Sequence, residues 1–101
     1  MNKVIAIKQH QIQKLCEQFC VKELYLFGSG TTDNFNEQSD IDLLVAFKSL
    51  SPEEYAECYF NLHYALESLF GRQIDLLTVN SLSNPFFIKN INEQKELLYA
   101  A

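Results

Sequence analysis

Two aspartates that stand one residue apart carry the strongest chemical signal in this sequence. Asp40 and Asp42 open a run that is apolar over residues 43–47. In a β-strand, residues i and i+2 point to the same face, about 7 Å apart. Two carboxylates side by side repel each other and resist desolvation, and a divalent cation such as Mg²⁺ or Mn²⁺ would offset that cost. The alternative is that the acids mark a strand end in contact with water.

Two further features extend this candidate site. Asp75 lies in the segment Ile-Asp-Leu-Leu at 74–77, which repeats the segment at 41–44. We therefore expect a second buried strand whose carboxylate is able to complete a three-carboxylate metal site. Gly28-Ser29 follows the short aromatic and apolar run 23–27. A glycine there lets backbone N–H groups approach a phosphate, and the serine hydroxyl can donate another hydrogen bond.

The elements that must position these residues follow from the spacing of apolar residues. Helical spacing predicts a helix over about residues 6–20, and a capping box of Ser51 and Glu54 begins a long helix that ends at Gly71. The remaining predicted elements are strands at 23–27, 40–47 and 73–79, a helix at 84–92, and a short strand or tail at 96–99. This order predicts an α/β (α+β) fold, a small mixed β-sheet flanked by helices.

Composition excludes several classes of protein. The chain has 101 residues, which suits one domain. Its net charge of −5, from 8 basic and 13 acidic residues, disfavours direct binding of nucleic acid or anionic membrane. No apolar run reaches the roughly 18 residues of a membrane span, and no signal peptide is visible, so we expect a cytoplasmic protein. Three cysteines do not make a disulfide framework.

The candidate site residues also resemble a known signature. Gly28-Ser29, ten residues, and then Asp40-Ile41-Asp42 resembles the Gly-Ser-x10-Asp-x-Asp motif of the polymerase-β-like nucleotidyltransferases. The flanking residues, Leu-Tyr-Leu-Phe before Gly28 and Leu-Leu-Val after Asp42, are similar to those of the small stand-alone branch, the minimal nucleotidyltransferases. The resemblance covers nearly the whole chain, including a similar tail over residues 91–99.

The resemblance implies a role for each residue of the motif. Gly28 and Ser29 would hold the phosphates of ATP or another NTP. Asp40 and Asp42 would bind two Mg²⁺ ions, with Mn²⁺ as the other candidate. Asp75 would be the third metal-binding and catalytic carboxylate, able to activate the attacking hydroxyl.

The resemblance also implies a fold and a partner. It implies the polymerase-β-like nucleotidyltransferase fold over a single domain of residues 1–101. Members of this branch often act as the antitoxin of a HEPN ribonuclease toxin, and some transfer AMP from ATP to a tyrosine of that toxin. The implied function is therefore AMP transfer to a protein hydroxyl.

Alternatives to this function stay open at the level of sequence. Residues 30–39 contain no Arg or Lys, although many relatives carry a basic residue after the Gly-Ser pair. Arg72 and Lys89 are candidates to replace it. Without a replacement, the protein would be a catalytically weak or inactive antitoxin that neutralises its toxin by direct binding. A metal-dependent phosphodiesterase is less favoured, because no His or Lys is evident to assist a leaving group. The sequence leaves the oligomeric state open.

The remaining polar and aromatic residues are expected to serve packing. His10 and His63 lack metal-ligand spacing, so we predict no catalytic role for them. Phe86 and Phe87 are expected to pin the last helix to the sheet, with an exposed partner surface as the alternative. The tyrosines of the long helix, Tyr55, Tyr59 and Tyr64, are expected to pack in the core or form a partner face.

Overall fold

The fold is a four-stranded mixed sheet with helices on both faces. The computed structural model describes residues 2–32 and 35–101. The strands are β1 (Val21–Phe27), β2 (Ile41–Phe47), β3 (Ile74–Thr78) and β4 (Glu96–Ala100). The helices are α1 (Lys3–Ala6), α2 (Gln9–Gln18), α3 (Pro52–Phe70) and α4 (Pro85–Gln94). This architecture confirms the predicted fold class.

The sheet order is β3-β2-β1-β4. β1 pairs antiparallel with both β2 and β4, whereas β2 and β3 are parallel and are joined through α3. This order places β2 inside the sheet and β3 at one edge. The two Asp-bearing strands are therefore neighbours.

Alternating side chains divide the sheet into two unequal faces. One face carries the main core, which includes Leu24 and Leu26 of β1 and Leu62 and Leu66 of α3. The opposite face holds a small cluster of Phe27, Leu44 and Ile91. Asp42 and Asp75 alternate onto this second face, because their neighbours in each strand point into the main core. The carboxylates therefore lie on the side of the sheet against which α4 packs.

The long helix α3 begins and ends as its sequence predicts. The Ser51 side chain accepts from the Glu54 N–H, the Glu54 side chain accepts from the Ser51 N–H, and Pro52 occupies the first turn. Gly71 ends the helix with a left-handed φ of 63°, a conformation that costs glycine little. These two signals fix the span of α3, which ends beside the start of β3.

Several predicted boundaries differ from the structure. The helix predicted at about 6–20 is the shorter α2, and a separate short helix, α1, precedes it, with the chain turning at residues 7–8. β1 begins two residues before its prediction, and β2 begins at Ile41, so Asp40 precedes the strand. The final segment is a strand, β4, which completes the sheet. Between the strands predicted at 23–27 and 40–47, residues 33 and 34 lie outside the described residues. In the described residues, no helix combines the length and the apolar character needed to cross a membrane.

Candidate active site

The structure brings two of the predicted carboxylates together. Asp42 and Asp75 are register partners on the parallel strands β2 and β3, whose backbones lie about 4.8 Å apart. Their carboxyl groups are close enough to form a hydrogen bond when Asp42 is protonated. The two acids, on adjacent strands, therefore lie side by side on the open face of the sheet.

The surroundings of Asp42 raise the pKa of its carboxyl group. Burial raises the pKa of Asp42, and the hydrogen bond to Asp75 and the charges of Asp75 and Asp40 raise it further, to about 6. A carboxyl group that is partly desolvated and faces two like charges holds its proton more tightly. A cation at this position would relieve the repulsion, and the oxygen-only donor set fits a hard divalent ion.

Gly28 is required by the close approach of Asp42. Gly28 directly follows Phe27, the β1 residue that pairs with Asp42. A Cβ added to Gly28 would collide with Oδ2 of Asp42, and the φ of Gly28 is 69°. Both the contact and the backbone conformation disfavour a side chain at this position. The glycine therefore lets a backbone turn lie directly against the carboxylate pair.

Ser29 lies in the tight turn that starts at Gly28. The turn spans Gly28–Thr31 and is a single 3₁₀ segment. The Thr31 hydroxyl donates to the Gly28 carbonyl at 2.8 Å, and the Thr32 hydroxyl donates to the Ser29 carbonyl at 3.0 Å. These two hydrogen bonds stabilise the turn.

Asp40 stands apart from the pair. It is exposed and precedes β2, and its charge is the smallest of the contributions that raise the pKa of Asp42. Within residues 2–32 and 35–101, no three His, Cys, Asp or Glu side chains are grouped closely enough to hold an ion by themselves. Magnesium sites often use one or two carboxylates together with substrate phosphates and water, so the observed pair remains compatible with such an ion.

A groove of about 580 Å³ opens beside the carboxylate pair. Asp42 and Asp75 lie in it, together with apolar and aromatic side chains of the sheet, α3 and α4; the full lining is Phe27, Asp42, Tyr59, His63, Ile74, Asp75, Leu76, Leu77 and Phe87. Phe27 and Phe87 pack edge to face with ring centroids 6.3 Å apart. The groove therefore presents two carboxylates next to aromatic side chains.

Two residues that line this groove, Tyr59 and His63, were not predicted to belong to the site. His63 Nε2 lies 2.7 Å from the Ile74 carbonyl oxygen, and the Tyr59 hydroxyl donates to the Leu76 carbonyl at 2.6 Å. Both side chains reach the backbone of β3 on either side of Asp75. Their recurrence at i and i+4 of α3 was visible in the sequence, but a backbone acceptor leaves no signal there.

The two candidate replacements for a basic loop residue, Arg72 and Lys89, have different surroundings in the structure. The Arg72 guanidinium donates to the carbonyls of Asn36 and Ser39 at 3.0 Å each and stacks over the Phe35 ring at 4.9 Å. Arg72 is therefore used to anchor the segment that leads into β2. Lys89 lies exposed on α4.

Phe86 and Phe87 were expected either to pin the last helix to the sheet or to form an exposed partner surface, and the two residues differ. Phe87 contacts Phe27 and so helps to pin α4 to the sheet. Phe86, in contrast, is 80% exposed, so the pinning prediction is wrong for this residue. Tyr64 is 75% exposed, whereas Tyr55 packs edge-on to Phe47 and Tyr59 bonds to β3.

Comparison with known proteins identifies relatives over nearly the whole chain. A candidate protein adenylyltransferase of Methanocaldococcus jannaschii is 36% identical over 97 residues, covering 96% of this chain and 92% of the relative. The protein adenylyltransferase MntA of Thermococcus cleftensis is 35% identical over 72 residues, covering 71% of this chain and 70% of that protein. The similarity thus spans more than two thirds of the length of each of these relatives.

Solved structures and a family match agree with these relatives. A chain from the crystal structure of a toxin–antitoxin with AMP-PNP superposes with a TM-score of 0.70 at 25% identity, covering 92% of this chain and 73% of that one. Residues 10–101 match the family described as polymerase beta nucleotidyltransferase. The chain belongs to the polymerase-β nucleotidyltransferase family, as its sequence motif predicted.

Proposed function

We propose that this nucleotidyltransferase transfers AMP from ATP to a tyrosine hydroxyl of a HEPN-type toxin and thereby acts as its antitoxin. The observation that carries the proposal is the Asp42–Asp75 pair set against the Gly28 turn. This arrangement puts two carboxylates next to a backbone that a phosphate chain can approach closely. The protein-adenylyltransferase relatives and the toxin–antitoxin structure with AMP-PNP support the choice of reaction and partner.

Each motif residue has a distinct task in this proposal. Gly28 and Ser29 would contact the phosphates through the turn that follows β1. Asp40 and Asp42 would hold two Mg²⁺ ions, or Mn²⁺ in their place, together with the phosphate oxygens. Nucleotidyltransferases of this type use a divalent metal, and the metal when bound supplies the positive charge that a −5 protein lacks. Such an enzyme would act in the cytoplasm, where ATP is abundant.

Asp75 would act on the attacking group. A tyrosine hydroxyl has a pKa near 10 and is protonated at neutral pH, so it needs a proton acceptor to attack phosphorus. In the proposed step, the tyrosine oxygen forms a bond to the α-phosphorus of ATP while its proton passes to the Asp75 carboxylate. The bond from the α-phosphorus to the bridging oxygen breaks, and pyrophosphate leaves.

The groove beside Asp75 suits an aromatic acceptor. Its apolar wall, which includes Phe27, Phe87 and Tyr59, lies next to the carboxylate pair. An aromatic ring packed against these side chains would bring its hydroxyl towards Asp75, because edge-to-face contacts orient aromatic groups.

The test measures transfer directly. The protein is incubated with the HEPN toxin encoded beside it, ATP and Mg²⁺, and the toxin is weighed by intact mass spectrometry. We expect the toxin to gain one or more adenylyl groups, and to gain none when Asp75→Asn replaces the wild type. A matched control is Glu93→Gln, which removes an exposed carboxylate on α4 and should leave transfer unchanged.

A toxin that is silenced without a gain in mass, by wild type and Asp75→Asn alike, would overturn the enzymatic proposal. Neutralisation would then take place by contact, which is the alternative raised by the lack of a basic residue in the loop and by the use of Arg72 as an anchor.

A further inference from the structure

The edge strand β3 is held along its outer side by three side chains of α3. The Gln73 carbonyl accepts from the Ile41 N–H of β2 at 3.2 Å. In a parallel pair, alternate residues face the partner strand, so Asp75 also faces β2, while Ile74 and Leu76 face outwards. The outward backbone groups of these two residues would be unpaired at a bare edge.

The three side chains that meet this edge stand one turn apart on α3. The Tyr59 hydroxyl donates to the Leu76 carbonyl, and His63 Nε2 donates to the Ile74 carbonyl. The Glu67 Oε2 accepts from the Ile74 N–H at 3.2 Å and lies 3.5 Å from His63 Nε2. Because a carbonyl oxygen only accepts, Nε2 of His63 must carry a proton in this arrangement. We call Tyr59, His63 and Glu67 the α3 brace.

We propose that the α3 brace is a positioning device for Asp75. Asp75 is exposed, so its location depends chiefly on the backbone that carries it. That backbone is fixed by β2 on one side and by the brace at residues 74 and 76 on the other. Tyr59 and His63 also lie in the groove with Asp75, so loss of either bond changes the backbone directly beside the carboxylate.

The inference rests on the proposed function, in which Asp75 receives the acceptor's proton. A small displacement of such a group costs catalysis more than binding, since misplacement by about 1 Å can lower a rate about a hundredfold. Nucleotide affinity depends instead on Asp40, Asp42 and the Gly28 turn. Loss of a hydrogen bond of the brace should therefore lower kcat and leave the Kd for Mg-ATP unchanged.

Four variants separate positioning from simple stability. Tyr59→Phe removes only the hydroxyl, and His63→Leu removes the donor at similar bulk. His63→Gln restores an N–H donor at the end of the side chain and should rescue. Tyr64→Phe removes a hydroxyl that lies on the exposed surface of the same helix and is the matched control.

The experiment combines turnover, calorimetry and amide exchange on the full chain. For Tyr59→Phe and His63→Leu we expect kcat, measured well below the melting temperature, to fall about tenfold or more, with an unchanged Kd for Mg-ATP. His63→Gln should recover most of the loss, and Tyr64→Phe should match wild type. Hydrogen exchange of the Ile74 and Asp75 amides should be faster in the first two variants than in Tyr64→Phe.

Contrary outcomes are distinguishable. A kcat equal to that of Tyr64→Phe, with only a lower melting temperature, would show that the brace is merely structural and overturn the inference. If wild type transfers no AMP, the proposed function fails, and the exchange measurement decides the brace alone. Unaltered amide exchange at residues 74 and 75 would then overturn the inference about the α3 brace as well.

Discussion

The segment Ile-Asp-Leu-Leu occurs in both β2 and β3, but its aspartate has a different environment in each strand. The strands are parallel and in register, so that Asp42 lies beside Asp75. β2 is internal, and its aspartate is half-buried against the Gly28 turn. β3 is an edge strand, and its aspartate is exposed. The position of the strand in the sheet, rather than the local sequence, decides the environment of each carboxylate.

This difference suggests a division of labour between the two acids. Burial and two neighbouring negative charges act on Asp42, which makes it the group that gains most from a bound cation. Asp75 faces an open groove with aromatic walls, where an acceptor can reach it. One acid is placed to hold the nucleotide's metal and the other to meet the second substrate.

Exchange of each carboxylate for an amide gives the largest expected effect. Asp42→Asn and Asp75→Asn should each lower transfer by at least about a hundredfold, because loss even of a residue that only supports a metal ligand costs 10- to 100-fold. The two should differ in binding: Asp42→Asn weakens Mg-dependent ATP binding, and Asp75→Asn leaves most of it intact. Calorimetry with and without Mg²⁺ checks this difference. Equal losses of ATP affinity in both variants would contradict the proposed difference in role between the two acids.

Much of this arrangement could be predicted from sequence because it depends on local patterns. The apolar runs after Asp40 and around Asp75 predicted two buried strands, and the caps at Ser51 and Gly71 predicted α3. The repeat of Ile-Asp-Leu-Leu indicated two strands with the same task. These signals act over a few residues, so they remain visible without the fold.

The contacts that could not be predicted join distant parts of the chain. Arg72 reaches carbonyls 36 and 33 residues earlier in the chain, and the sequence offered it only as a possible phosphate ligand. His63 bonds to a backbone carbonyl of β3, and every residue has such a carbonyl. The strand order that buries Asp42 more than Asp75 is likewise a property of the assembled sheet. Long-range packing decides these features, and it has no local sequence pattern.

The Gly28 turn offers a second way to test the comparison, through stability. Gly28→Ala should destabilise the fold by more than Gly71→Ala, although both glycines have a positive φ, of 69° and 63°. At Gly71 an added Cβ meets nothing within 4 Å, so the cost is the backbone strain alone, about 1–2 kcal/mol. At Gly28 the same strain is joined by the collision with Asp42. Chemical denaturation of both variants measures the difference, and equal losses would show that Asp42 moves aside freely.

The pH dependence of stability tests the burial of Asp42 in the metal-free protein. The pKa of Asp42 rises from 3.8 to about 6 on folding, so the folded state binds this proton more tightly than the unfolded state. Stability therefore falls as the pH rises from about 4 to 6, and the full penalty persists above pH 6. Asp42→Asn should remove this slope and melt at a higher temperature than wild type at pH 7. Glu93→Gln, which changes an exposed carboxylate on α4, should keep the slope.

The smallest expected effect separates the neighbours of Asp42 from one another. The Asp75 hydrogen bond and charge contribute more to the raised pKa of Asp42 than the charge of Asp40, and burial contributes most. Asp75→Asn should therefore lower the pKa of Asp42 clearly, but not to its ordinary value, because the carboxyl group stays partly desolvated. Asp40→Asn should lower it less. Carbon-13 NMR titration of the Asp42 carboxyl carbon in both metal-free variants measures the order. A larger shift from Asp40→Asn would mean that the start of β2, rather than the edge strand, sets the charge state of the central carboxylate.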